Sequence, residues 1–322
     1  MHLSQFDIKA YIEAATGNPH DGNQFFDRYL VNTENPWNII SIGMHLLHKC
    51  FDTDPLAYAR IYKGNVFFYL GLASFRMQDY EVALFFIDNA VSSDIQAKID
   101  PTNEPSHAMR LIQLDSISPE HRDFIGDAET RISNLILIYN SRAKSNNLYL
   151  SDLRKKFLQP SLTDAHQNWR TLATTFISFC LEWNYRDELF TICPAPNTRE
   201  PYFLHLFKGC LLFESLLKNN MNYPAKNAKS NLEQELKRLQ TQLKIDDKAK
   251  LNINGKTLNQ VLINIDVDAD ESMPTAMQYT GWLRNTLGHN LGWNVALSKD
   301  QYQRLFQMVA SSCLHAIACL YI

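Results

Sequence analysis

Apolar residues recur at intervals of three and four along almost the whole chain, and strand-like alternation is scarce. That spacing lays side chains along one face of a helix, so the chain reads as a succession of amphipathic helices. Only 11 Gly and 12 Pro occur in 322 residues, too few for the many tight turns of an all-β protein. The expected fold class is all-α. Prolines fall between the periodic segments, at Asn35-Pro36, Asp100-Pro101 through Pro105, Gln159-Pro160, Pro194-Ala195-Pro196 and Tyr223-Pro224. A chain this long fits two domains better than one small core. The stretch from Cys193 to Pro201 is the expected boundary, dividing the chain into residues 1–199 and 200–322.

With 45% hydrophobic and 20% charged residues, the composition excludes a disordered, fibrous or collagen-like chain. A net charge of −3 excludes a uniformly basic nucleic-acid binder but leaves room for a local patch. Charge shifts at the expected boundary. Residues 200–322 hold 13 Lys/Arg and 11 Asp/Glu, against 18 and 23 in residues 1–199. From Lys218 to Lys256 there are nine basic and four acidic residues. Leu232, Leu236, Leu239 and Leu243 form an amphipathic stripe there, so a solvated helix is the plainer explanation and attraction of a phosphate backbone the sharper one.

The six cysteines (Cys50, Cys180, Cys193, Cys210, Cys313, Cys319) lie in apolar contexts and form no C-x-x-C pair. They are expected to be small buried hydrophobes in a reducing compartment. The first residues lack a basic segment followed by an apolar core, so no secretory signal is expected. No apolar run approaches the 18 or so residues of a membrane span. The expectation is a soluble cytoplasmic protein without membrane partners.

One N-terminal segment has the form of a repeat unit: Phe67-x-x-Leu70-Gly71, Tyr80-x-x-Ala83 and Ile87-x-x-Ala90. Over residues 64–95 it resembles the tetratricopeptide pattern of two antiparallel helices, without the usual closing Pro. Gly71, Ala83 and Ala90 are expected at the helix crossing, where small side chains permit close approach. Leu181 to Asp187 could begin a degenerate copy. One unit cannot bury its own apolar faces, so neighbouring helices must stack on it. The resemblance implies a surface that binds a protein partner; plain hairpin packing without a ligand stands beside it.

From Pro201 onward, helices are expected over 201–219, 228–245, 272–291 and 298–321, with a looser segment over 252–271 that includes a short helix around Leu258 to Leu262. Ser298 and Gln301 form a capping-box pattern, and Gly292 is placed to end the third helix. Along that helix Leu283, Leu287 and Leu291 share a core face, while Asn285 and His289 stack one turn apart on the other side. The stem of Arg284 reaches the same polar side. Gly281, Gly288 and Gly292 run beside these residues. Each helix-interior Gly costs about 1 kcal/mol against Ala, which calls for a reason such as close approach of another backbone.

Arg284-Asn285-x-x-x-His289 resembles the signature of the HEPN superfamily, an Arg and a His separated by four to six residues with a polar residue directly after the Arg. Its position, on a late helix of a C-terminal four-helix bundle followed by one last helix, is also similar. The resemblance covers residues 201–322. It implies metal-independent endoribonuclease activity in a composite site at a homodimer interface, with no cofactor and no metal, in a toxin or phage-defence setting. In that scheme His289 serves as acid or base, Arg284 holds the phosphate and stabilises charge in the transition state, and Asn285 orients the imidazole or the phosphate. Three readings stand together: an active ribonuclease on RNA, a non-catalytic adaptor that binds protein or RNA, and an enzyme silent until a ligand or partner reshapes the dimer cleft. The subclass paired with nucleotidyltransferase antitoxins carries a Tyr two residues after the His; Leu291 stands there in this chain.

Other constellations are weaker. His45-x-x-His48-x-Cys50 lacks a third ligand at a zinc spacing. Asp266-x-Asp268-x-Asp270 has Glu271 where a calcium loop needs Gly. No P-loop, dinucleotide fingerprint, nucleophile elbow or H-E-x-x-H is present. His315 is expected in the core with Cys313 and Cys319. Tyr279 and Trp282 either pack in the core or stack on a base. Glu214 and Lys218 lie on the first bundle helix, within possible reach of the motif helix.

Overall fold

The computed structural model describes residues 8–17, 35–115, 122–144, 146–163, 167–193, 199–220, 231–245, 256–267, 270–288 and 295–322. The described residues are helical with no strand, so the all-α expectation holds. No helix among them is long and apolar enough to cross a membrane. The chain divides into two compact units, residues 1–125 with 162–167, and residues 126–161 with 168–322. The sequence-derived boundary at 199/200 falls inside the second unit.

The first unit begins with α1 (Ile8–Gly17), α2 (Pro36–Thr53) and α3 (Pro55–Arg60). Asn35 starts α2 by accepting from the Trp37 amide at 3.0 Å, with Pro36 at the first helical position, where its missing N–H costs nothing. Asp54 caps α3 through the Leu56 and Ala57 amides. Next come α4 (Gly64–Arg76) and α5 (Tyr80–Gln96), joined through Met77, left-handed Gln78 and Asp79, which caps α5 by accepting from Val82 N. Phe75 meets Tyr80, Phe67 meets Phe86 and Gly71 faces Ile87. The pair of Phe75 with Tyr80 beside the turn and that of Phe67 with Phe86 farther from it make the two helices an antiparallel hairpin. Gly71, Ala83 and Ala90 are all buried, and a Cβ on Gly71 would lie 2.7 Å from the Ile87 side chain. Gly71 and Ala83 thus meet where the helices approach, and Ala90 is buried farther along α5. Tyr11, Leu46, Cys50, Val66, Leu70 and Phe86 form a common core with this hairpin, and α6 (His107–Gln113), capped by Ser106, follows it.

The second unit holds most of α7 (Arg122–Ala143), a segment containing a helical turn at Leu150–Asp152 that widens into a π-turn at Leu153–Leu158, and α8 (Gln167–Ile192). After these come α9 (Glu200–Lys218), α10 (Leu232–Arg238), α11 (Leu258–Val267), α12 (Met273–Leu287) and α13 (Lys299–Leu320). Helices α9, α12 and α13 pack on one another. The Ser298–Gln301 capping box forms in both directions and starts α13 where expected.

Helix α8 belongs to the same core. Trp183 stacks on Phe306 at 4.5 Å and on Tyr302 at 4.9 Å between ring centroids, and Phe190 meets Tyr202 at 4.0 Å. A Cβ on Gly209 of α9 would lie 2.5 Å from the Phe179 ring and 2.6 Å from Val309, so glycine permits three helices to meet there. Leu181 to Asp187 therefore lie well inside α8, with Trp183 in the bundle core, and do not open a second repeat hairpin.

Helix α10 is shorter than the expected 228–245. The Asn231–Gln234 capping box starts it at Leu232, and turns follow it to left-handed Lys244. Residues 228–230 lie outside the described residues. The four leucines of the stripe are all buried, whether helical or not.

Candidate functional site

Helix α12 begins after Ser272 with Pro274 in its first turn and ends at Leu287, where Gly288 serves as the C-cap. The expected extension to 291, His289 itself, and the proposed terminator Gly292 lie outside the described residues. Leu283 and Leu287 are buried, as the expected core face requires. Arg284 and Asn285 sit side by side in the last turn, both partly exposed, and both engage other groups.

Arg284 is held by Glu214 of α9. Its Nε donates to Glu214 Oε2 at 2.6 Å and its Nη2 donates to Oε1 at 3.3 Å, a two-point contact that fixes the plane of the guanidinium. Lys218, one turn along α9, donates to the same Oε1 at 2.5 Å. The side chain of Glu214 is 6% exposed, against 29% for Arg284 and 25% for Lys218. Burial pushes the Glu214 carboxyl upward, but hydrogen bonds from Arg284 and Lys218 outweigh it and hold the carboxyl below its ordinary range. Two cations around one carboxylate leave the trio with one positive charge, and the guanidinium is oriented without being covered.

Gly288 is exposed with φ −71°, a conformation open to any residue. The nearest atoms to a Cβ built there are the Arg284 carbonyl at 3.0 Å and the Phe207 ring at 3.6 Å. Gly281 is buried within α12. Tyr279 and Trp282 are buried and meet edge to face at 5.0 Å, so they pack in the core and offer no open face for a base. Lys256 lies over the Trp282 ring, and its carbonyl accepts from Thr286 Oγ1 at 3.1 Å, tying the residues before α11 to the last turn of α12.

The described cations of the basic segment engage groups within the protein. Lys237 pairs with Glu233, Arg238 with Glu235, and Lys244 donates to Asn146. Its lysines at 226, 229, 248 and 250 lie outside the described residues.

The remaining candidates resolve into structural roles. His45 and His48 are exposed while Cys50 is buried, and no group of three or more His, Cys, Asp or Glu that could hold a metal occurs among the described residues. Asp270 accepts from Ser272 and Thr275 ahead of α12, and Asp266 accepts from Gln301; Asp268 is outside the described residues. His315 is buried, donating through Nε2 to the Leu243 carbonyl at 2.7 Å with Nδ1 facing Tyr139 Oη. Cys313 is buried beside it in sequence and Cys319 half-buried. Cys193 departs from the expectation for the cysteines and is exposed.

A second histidine that sequence reasoning passed over, His205, lies in the bundle centre between Tyr302 Oη at 2.7 Å and the Phe179 carbonyl at 2.8 Å. Burial pulls its pKa down to about 3, so it is a neutral hydrogen-bond bridge at neutral pH.

In comparisons with protein-family models, curated proteins and solved structures, nothing matches this chain.

Proposed function

We propose that Arg284 and Asn285 in the last turn of α12, together with His289 of the sequence motif, form a metal-independent endoribonuclease site of HEPN type, completed by the same residues of a second copy. The observation that carries this reading is the guanidinium of Arg284: fixed by the two hydrogen bonds it donates to a buried carboxylate, yet with part of its surface open. Preorganised donors stabilise charge developing in a transition state without reorganising as the reaction proceeds. A phosphate oxygen approaching the open edge would meet a cation already in place.

In the reaction, the ribose 2′-hydroxyl loses its proton to one histidine and attacks the adjacent phosphorus. The P–O5′ bond breaks, the leaving oxygen takes a proton from the second histidine, and the products are a 2′,3′-cyclic phosphate and a 5′-hydroxyl. His289 and its copy supply the two proton transfers, since an imidazole with a pKa of about 6.5 serves either role near neutrality. Arg284 binds the phosphate and Asn285 orients the imidazole or the phosphate. The toxin or phage-defence setting rests on the family resemblance alone.

The same salt bridge favours a second reading. Glu214 occupies two of the guanidinium's donors and offsets its charge, as in a structural polar seam. A non-catalytic adaptor, with the tetratricopeptide-like hairpin of α4 and α5 binding a protein partner, would need no more than this.

The two readings separate by incubating the purified protein with a mixed RNA pool in EDTA, beside Arg284→Ala and His289→Ala variants matched for helicity and dimer mass. Cleavage to cyclic-phosphate ends by the wild type alone supports the nuclease. Equal cleavage by all three indicates a contaminant and removes the site assignment. No cleavage by any leaves the adaptor and the enzyme silent until a ligand or partner reshapes the dimer cleft, which a partner pull-down separates.

A further inference from the structure

The first unit contains a cavity of about 340 Å³ lined by Tyr62, Phe68, Asp94, Glu104, Ser106 and His107, among others. That is within the lower range of small-molecule sites. Asp94, near the end of α5, is 1% exposed. Its Oδ1 accepts from Tyr62 Oη at 2.6 Å, and its Oδ2 accepts from Ser106 Oγ. Gly64 makes the first of these possible, since a Cβ there would lie 2.6 Å from Oδ1.

Both partners of Asp94 are neutral hydroxyls. Among the described residues no Lys or Arg pairs with it. Lys63, its basic neighbour across the Ser93 contact, turns its ammonium to the Tyr58 and Ile61 carbonyls and lies over the Tyr58 ring. A buried carboxylate is costly to keep ionised without a cation. Burial holds the Asp94 carboxyl above its ordinary range, against the hydroxyl hydrogen bonds and the nearby His107.

This carboxylate lines a cavity large enough for a guest. Glu104, exposed, adds a second negative charge to the lining. The Phe68 ring, 5.8 Å from the His107 ring, adds an aromatic wall of the kind that attracts cations. No group of three or more metal-ligating residues is present among the described residues, and the cavity is larger than a single ion needs.

We propose that this cavity binds a small organic cation, a primary amine or guanidinium on a short carbon frame, with Asp94 as its buried counter-ion and Glu104 at the rim. The cation supplies the charge that the protein withholds from Asp94. The hydroxyls of Tyr62 and Ser106 hold the carboxylate in place, so that little reorganisation accompanies entry of the ligand. The site does not involve Arg284, Asn285 or His289, and its existence is independent of any ribonuclease activity.

The test is isothermal titration of the full chain with 1,4-diaminobutane, agmatine and the neutral isostere 1,4-butanediol. At least one amine is expected to bind with one site per chain and the diol to show no binding. Asp94→Asn is expected to weaken the amine at least tenfold, as is Glu104→Lys, which sets a positive charge at the rim. Because Asp94 ties three segments together, its variant is first checked by circular dichroism; if it does not fold, the exposed Glu104→Lys change decides. Binding by neither amine, equal binding of the diol, or unchanged affinity in the folded variants would overturn the proposal.

Discussion

Replacing Glu214 by Gln removes the charge that holds Arg284 and Lys218 while keeping the shape of the side chain. Hydrogen bonds to charged groups contribute about 1.5–3 kcal/mol each, and breaking a fully buried ion pair costs about 3–5 kcal/mol. Arg284 and Lys218 retain water on roughly a quarter of their side chains, and Gln can still accept one hydrogen bond, so the expected loss is about 2 kcal/mol at pH 7. With a urea slope of about 2 kcal/mol/M, that moves the unfolding midpoint down by about 1 M. Tryptophan fluorescence is a suitable probe, because among the described residues Trp169, Trp183 and Trp282 fall in the second unit and Trp37 in the first. The effect must also depend on pH. The folded carboxyl titrates below its unfolded value of about 4.3, so its contribution is complete above that pH. It fades as pH falls through the folded value. The gap between wild type and variant should therefore be full at pH 7 and shrink at pH 3. Equal stability at pH 7 would refute the contribution of the ion pair. A gap that persists undiminished at pH 3 would assign it to packing instead of charge.

Three other outcomes follow from the geometry. Gly71→Val should destabilise the first unit by about 2 kcal/mol or more, because its Cβ would meet Ile87 at 2.7 and 2.9 Å and the Ala83 carbonyl at 3.1 Å; limited proteolysis at rising urea reads this directly. The ring protons of His205 should not shift between pH 8 and pH 5 in an NMR titration, since the folded pKa lies near 3. Its unfolded pKa is about 6.5, so its neutral bridge adds stability above pH 6.5 that declines as pH falls toward 3; a titration midpoint near 6.5 in the folded protein would refute its burial. Ser298→Ala should cost about 1 kcal/mol by removing the cap of α13, measured as a lower thermal midpoint, whereas Ser298→Asp should leave it nearly unchanged.

Much of the helical structure could be read from the sequence because its causes are local. Ser298 and Gln301 are three residues apart, and their capping box forms as the pattern indicates. The small residues Gly71 and Ala83 mark a close approach within one hairpin. The short helix expected around Leu258 to Leu262 runs on to Val267, since nothing in the residues after Leu262 breaks it. Long-range effects were less visible. Prolines between 194 and 201 mark an interruption of the helix, but Phe179, Trp183 and Phe190 carry the core across it to Tyr202, Tyr302 and Phe306. At the candidate site, the residues of the last turn of α12 stood out by spacing. Glu214, 70 residues away, could be placed only within reach of the motif helix, and its pairing with Arg284 was not readable from spacing. Its one local signal was a lone carboxylate in the apolar run Leu211-Leu212-Phe213-Glu214-Ser215-Leu216-Leu217, with Lys218 one turn on. Asp94, in the middle of Val91-Ser92-Ser93-Asp94-Ile95, gave the same kind of signal and was passed over.

The aromatic seam between α8 and α13 also bears on how this protein can be cut and recombined. A fragment starting at Glu200 would keep the last-turn residues of α12 but lose Phe179, Trp183 and Phe190 from one side of the core. Each such ring covers about 150–250 Å², or about 4–6 kcal/mol at 25 cal/mol/Å². Two of them approach the entire net stability of an ordinary domain, about 5–15 kcal/mol. Transplanting the bundle into another chain, or expressing it alone, therefore calls for a graft that begins near residue 126, and an inactive fragment beginning at 200 would report a missing wall and not a missing catalyst.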